Sequence, residues 1–121
     1  MADFSCVGNM VGDPEVSFTP SGQALVKFRV AENKRVKNRD TGAWEDGPTT
    51  FWSCTAWGPH GETIAENVTR GQSVVVKGRV EIREVEKDGE KKYYTDVTVD
   101  ELGLNVRWLK PKGDSSSQAP F

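Results

Sequence analysis

Ala24-Leu25-Val26-Lys27-Phe28-Arg29-Val30-Ala31 alternates without a break. Successive side chains of a strand point to opposite faces, so Ala24, Val26, Phe28 and Val30 share one side and Lys27 and Arg29 the other. The segment reads as a half-buried β-strand whose wet face is basic. Working towards the N-terminus, Thr19-Pro20-Ser21-Gly22 and Gly12-Asp13-Pro14 are turn signals, and Phe4 to Val11 is a short apolar strand. Towards the C-terminus, Asn33 to Pro48 is polar with Asp40-Thr41-Gly42 as its turn, and reads as a long exposed hairpin loop. Phe51 to Trp57 is a third strand. Pro59 to Thr69 reads as a helix, with Ile64, Ala65 and Val68 spaced for one buried side and Gly71 placed for a left-handed cap. Ser73 to Val85 is a fourth strand, with Val74, Val76, Val80 and Ile82 inward and Lys77, Arg79 and Arg83 outward. Lys87-Asp88-Gly89-Glu90 turns the chain into a strand from Lys92 to Val99, and Val106 to Leu109 reads as a last short strand. Five or six strands with one helix between the third and fourth describe an all-β OB-fold, a five-stranded Greek-key barrel. Other small barrels fit the pattern nearly as well.

At 121 residues the chain is one small domain. Residues 1–110 form the expected barrel, and 111–121, rich in Ser, Pro and Lys, a flexible tail. With 36% hydrophobic and 28% charged residues the composition is too apolar for a disordered chain. Apolar runs such as Val74-Val75-Val76 fall far short of the roughly 20 residues of a membrane span. The first residues lack the basic and apolar regions of a signal peptide. A cytoplasmic protein without a membrane partner is expected. Cys6 and Cys54 match no zinc spacing and His60 stands alone, so no metal and no cofactor are expected. His60, in a Gly-Pro-His-Gly turn, has no nucleophile for a partner and reads as a loop residue; no enzyme is expected. Glu81, Glu84, Glu86, Asp88 and Glu90 read as a solubilising tip, and there is no Gly-rich phosphate loop.

The net charge of −2 argues against nucleic acid, but its distribution argues for it. Between Lys27 and Arg39 lie Lys27, Arg29, Lys34, Arg35, Lys37 and Arg39 against the single acid Glu32, a local charge of +5. These residues, with Lys77, Arg79 and Arg83 on a neighbouring strand, are placed to follow a phosphate backbone; the alternative is a solvated face balanced by nearby acids. In Phe51-Trp52-Ser53-Cys54-Thr55-Ala56-Trp57, alternation puts Trp52, Cys54 and Ala56 on one face and Phe51, Ser53, Thr55 and Trp57 on the other. The first set suits a barrel core. The second sets two large aromatics beside Ser and Thr, as in a platform for stacking the bases of a single strand. A face packed against a partner subunit fits the pattern equally well.

Val7-Gly8-Asn9-Met10, Gly12-Asp13-Pro14-Glu15 and Thr19-Pro20-Ser21-Gly22 resemble the opening of bacterial single-stranded DNA-binding proteins. Ala65-Glu66-Asn67, Arg70-Gly71 and Val75-Val76-Lys77-Gly78-Arg79-Val80 extend the resemblance, which covers roughly residues 4 to 109. The run Asp100-Glu101-Leu102-Gly103-Leu104-Asn105-Val106-Arg107 is similar to the actinobacterial branch, which adds a C-terminal strand that clamps neighbouring subunits; Trp108 and Leu109 would supply its apolar contact. The resemblance implies a homotetramer of OB-folds that binds single-stranded DNA in replication, recombination and repair, at the nucleoid, with no cofactor and no catalysis. It assigns stacking to Phe51 and Trp57 and a subunit contact to Trp52.

Three departures stand out. The family's loop aromatic is replaced by Val36, with Trp44 as its substitute, and a second family aromatic by Val85, so fewer stacking contacts are expected. The family's acidic tail, closing in Pro-Phe, docks partner enzymes; here Pro120-Phe121 has only Asp114 near it, which weakens the expectation that replication and repair enzymes dock. Such a tail fits a short-tailed paralogue, a phage or plasmid version, or a truncation. Cys54 reads as a buried core thiol. Cys6 lies on the strand about which family subunits pair, so an inter-subunit disulfide through Cys6 is expected, opposed by a reducing cytosol and a demanding geometry. The other functional readings are an interaction module that barely touches DNA and an oligosaccharide binder, the latter opposed by the basic loop.

Overall fold

The computed structural model describes the backbone of residues 2–108 and the side chains of residues 2–107. In chain order it contains β1 (Ala2–Met10), β2 (Glu15–Phe18), β3 (Ala24–Lys37), β4 (Trp44–Trp57), α1 (Gly58–Asn67), β5 (Ser73–Lys87), β6 (Glu90–Leu104) and a 3-10 turn (Val106–Trp108). The strands form one sheet in the order β1-β5-β6-β4-β3-β2, and β1 also pairs with β3, which closes the sheet on itself. Five long strands thus make an OB-fold barrel with α1 between the third and fourth of them. β2 is a four-residue edge strand, exposed throughout, that the sequence shows only as the gap between two turns. No helix among the described residues is long and apolar enough to cross a membrane.

Alternation sets the interior. Ala24, Val26, Phe28 and Val30 of β3 are buried, as are Cys54 and Ala56 of β4, Val74 and Val76 of β5, and Val97 and Val99 of β6. Full burial of a valine contributes roughly 1.5–3 kcal/mol, so this mostly β-branched core suits strands by both propensity and packing. Ile64 and Val68 close one end of the barrel from α1 and the residue after it. Pro59 lies in the first helical turn, where a missing N–H costs nothing. Gly71 does have a left-handed φ of 86°, but not as the helix cap. The helix ends earlier, at Asn67, and Gly71 shapes the following turn, where its N–H donates to the Met10 carbonyl at 2.9 Å.

Five expectations are corrected. Asn33 to Pro48 is not a loop: β3 and β4 continue as a paired ribbon to Lys37 and Trp44, leaving only residues 38–43 as the turn. A ribbon exposed on both faces carries no apolar alternation, so the pattern had nothing to show. Ile82 does not face the core; it is 66% exposed, because beyond Val80 the β5–β6 pair leaves the barrel as a second ribbon. His60 sits in the first turn of α1, not in a loop. Val106 to Trp108 forms a 3-10 turn rather than a strand, and Leu109 lies outside the described residues. There, Asn105 N–H bonds to the Ser73 carbonyl and its side chain accepts from the Arg107 N–H, which bends the chain away from the sheet. Asp100 to Leu104, the stretch likened to a clamp, continues β6 against β5, and no separate clamp strand follows among the described residues.

Candidate nucleic-acid interface

The outward faces of β3, β4, β6 and β5 form one continuous surface whose rows are set by register. Arg29 lies opposite Ser53, Ser53 beside Asp96, and Asp96 opposite Glu81. In the next row stand Lys27, Thr55, Thr98 and Arg79. Phe51 and Trp57 bracket these rows on β4, six residues and so roughly 20 Å apart. Phe51 is 52% exposed and Trp57 43%. Between them is a hollow of about 440 Å³ lined by Lys27, Arg29 and Thr55 and by the carboxylates Asp13, Glu15 and Asp96. The Arg29 guanidinium lies over the Phe51 ring, 4.8 Å from its centroid, so cation and aromatic form one unit.

Trp44 reaches the same face through a bulge. Asn33 pairs with Thr49 and Arg35 with Asp46, so two residues of β4, Gly47 and Pro48, oppose the single Lys34. Seven residues separate Trp44 from Phe51, an odd number that regular alternation would turn to opposite faces. The extra residue reverses the parity and returns Trp44, with Asp46, to the Phe51 side. A side chain at residue 47 would put its Cβ 2.9 Å from the Lys34 carbonyl oxygen, so the bulge requires glycine there. Pro48, which has no N–H to donate, is tolerated because the bulge leaves it unpaired. Trp44 is 62% exposed opposite Lys37 at the ribbon's end.

The basic residues separate into groups. Lys27, Arg29 and Lys37 share this face, and Arg39 is exposed in the turn at the ribbon tip; none has a carboxylate within 4.0 Å among the described residues. Arg35, Arg79 and Arg83 are already paired, with Asp46, with Asp100 at 3.2 Å and with Asp96 at 3.0 Å. Lys34 falls on the reverse of the β3–β4 ribbon. Lys77 lies across from Ser5 and Glu101, on the β1 side of the barrel. Sequence reading missed both the pairings and Tyr94, an exposed ring on the same outward face with Arg83 over it. The signal for Tyr94 was its parity with Asp96 in the strand after the turn.

Trp52 points the other way, half-buried. Its ring packs edge-on to Phe4, 4.7 Å between centroids, and its Nε1–H donates to Glu32 Oε1 at 3.1 Å. Cys6 is also turned inward and buried, in the same cluster as Cys54, and both are free thiols. This corrects the expected inter-subunit disulfide: β1 alternates Cys6, Gly8 and Met10 into the barrel, which keeps the sulfur off the surface where a second chain would meet it. Burial, with the Glu32 charge adding, pushes the Cys6 thiol up to about 11. Burial, with Cys6 adding, pushes Cys54 up to about 12. The side chain of Trp108 and all of residues 109–121 lie outside the described residues.

A barrel wall presenting spaced aromatics among cations defines a class: an OB-fold with an oligonucleotide-binding face. The single-strand binding protein family model matches residues 1–105, and the chain belongs to that family. It is 42% identical over 114 residues to the single-stranded DNA-binding protein of Mycobacterium tuberculosis, covering 93% of this chain and 70% of that one. To the single-stranded DNA-binding protein 2 of Streptomyces coelicolor it is 44% identical over 112 residues, 92% of this chain and 56% of that one. These relatives make it a member of the actinobacterial type. The crystal structure of the small single-stranded DNA-binding protein from Streptomyces coelicolor superposes with a TM-score of 0.76 at 26% identity, over 87% of this chain and 94% of that one.

Proposed function

We propose that the protein binds single-stranded DNA without regard to sequence, as a binding protein and not an enzyme, with bases stacked on Phe51, Trp57 and Trp44 and phosphates held by Lys27, Arg29, Lys37 and Arg39. The observation that carries this reading is the exposure of Phe51 and Trp57 on the one face that also holds Lys27 and Arg29. Every base has a π-face, so stacking tolerates any sequence, at roughly 1–3 kcal/mol per base. Duplex bases offer no free face, which makes the preference one for single strands. Family membership supports service in replication, recombination and repair, and a cytoplasmic, nucleoid-associated site of action.

The functional form is a homotetramer. β1 pairs with β5 along one edge, its other edge from Ala2 to Gly8 has no strand partner among the described residues, and exposed Val7 and Val75 sit directly opposite each other on the outward face of β1 and β5. An unpaired edge beside an apolar pair favours self-association. Trp52 contributes to this assembly from within the chain, by fixing Phe4 and so the start of β1. Trp57→Ala tests the reading against the alternative of an interaction module. The variant should lose about tenfold or more in affinity for oligo-dT and keep the parent's mass by light scattering. Loss of the oligomer with DNA affinity intact would make the aromatic face a subunit interface instead.

A further inference from the structure

We propose that Tyr94 is a further base-stacking residue, standing in the same row as Phe51; the inference rests on the reading of this face as a single-strand binding surface. β4 and β6 run parallel, with Ser53 beside Asp96, Cys54 beside Val97 and Thr55 beside Thr98. Phe51 and Tyr94 each stand two residues before the first of these rungs. Equal offsets on parallel strands put them in one row, and a two-residue step keeps both on the outward face. The ladder itself ends at Ser53 and Asp96, so the rings stand one step past its last rung. Arg83, directly opposite Tyr94 on β5, completes the row.

The surroundings of the two rings repeat. Tyr94 is 45% exposed, close to Trp57. The Arg83 guanidinium lies 5.0 Å from the Tyr94 centroid, as Arg29 lies 4.8 Å from that of Phe51. Arg83 Nε also donates to Asp96 Oδ2 at 3.0 Å, which fixes the guanidinium over the ring and orients the tyrosine. One face of each ring thus carries an arginine. A base that displaces the guanidinium gains the stronger contact, since an exposed cation–π pair is worth less than a stacked base. Tyr93 gives the internal contrast: it is more exposed than Tyr94, but stands opposite Glu84 on the reverse of the ribbon, with Ile82.

The test compares Tyr94→Ala, Tyr94→Phe and Tyr93→Ala with the parent for binding fluorescent oligo-dT by anisotropy across a salt series. Tyr94→Ala should weaken binding roughly 5- to 150-fold, while Tyr94→Phe and Tyr93→Ala stay within about twofold. The slope of log affinity against log salt should be the same for Tyr94→Ala as for the parent, because a lost ring releases no counterion. Tyr94→Phe retains the ring and reports that the ribbon folds. Tyr94→Ala within about twofold of the parent, or a loss equalled by Tyr93→Ala, would overturn the assignment of Tyr94 alone. A parent that binds single strand no better than duplex would overturn the reading beneath it.

Discussion

Trp52 and Trp57 stand on one strand at opposite parity, and their side chains do different work. Trp52 packs on Phe4 and bonds Glu32, whereas Trp57 leaves much of its indole in water. Trp52→Ala should therefore cost about 2 kcal/mol of stability, below the 3–5 kcal/mol of a fully buried aromatic, and Trp57→Ala should cost a small fraction of that; urea denaturation of both variants measures the difference. The thiols supply a second prediction at this scale. Cys6 and Cys54 ionise near 9 in an unfolded chain and near 11 and 12 in the fold. The folded protein then holds more protons than the unfolded one between those limits, so stability falls as pH rises from 9 towards 11. Below pH 9 both thiols are neutral in either state and contribute no slope. Urea denaturation along a pH series should show this decline, and Cys6→Ala and Cys54→Ala should each flatten it. Both thiols should also resist alkylation in the native protein at neutral pH, since the thiolate is the reactive form.

At the scale of elements, one extra residue in β4 sets which face of the β3–β4 ribbon carries Trp44. Deleting Gly47 together with Pro48→Thr, which supplies the N–H a regular ladder needs, should turn Trp44 to the reverse face, weakening oligo-dT binding as much as Trp44→Ala does while the barrel keeps its thermal midpoint. Titration of both variants, beside thermal denaturation, checks this. The bulge also shows what sequence can and cannot supply. Where one face of a strand is buried and the other wet, alternation alone places every residue, and Val26, Phe28, Phe51 and Trp57 all stand where their parity puts them. Where a ribbon is wet on both sides, as from Asn33 to Lys37 or from Ile82 to Tyr94, no apolar period exists to read. Its strands then look like loop or carry the inward pattern too far, as at Ile82. Carboxylate partners for Arg35, Arg79 and Arg83 come from other strands or a strand's far side, so they are visible only once register is known. The Cys6 side chain fails as a surface group for the same reason: its strand was recognised, but which of its faces met the barrel was not.

On the whole molecule, the acidic net charge and the basic face are reconciled by where the charges sit. Of nine Lys and Arg read as phosphate contacts, Lys27, Arg29, Lys37 and Arg39 have no carboxylate partner among the described residues and are the ones proposed to hold phosphates. Each phosphate contact on a single strand contributes about −0.7 to the slope of log affinity against log salt, so four predict about −3 per protomer where nine would give about −6. The most direct measurement is tryptophan fluorescence during titration with oligo-dT, across a salt series, beside a duplex of equal length. The account predicts strong quenching by the single strand alone, as indoles stack on bases, with affinity falling along a slope of about −3 per protomer. Absence of quenching at low salt, with no mobility shift, or equal binding of the duplex would contradict it.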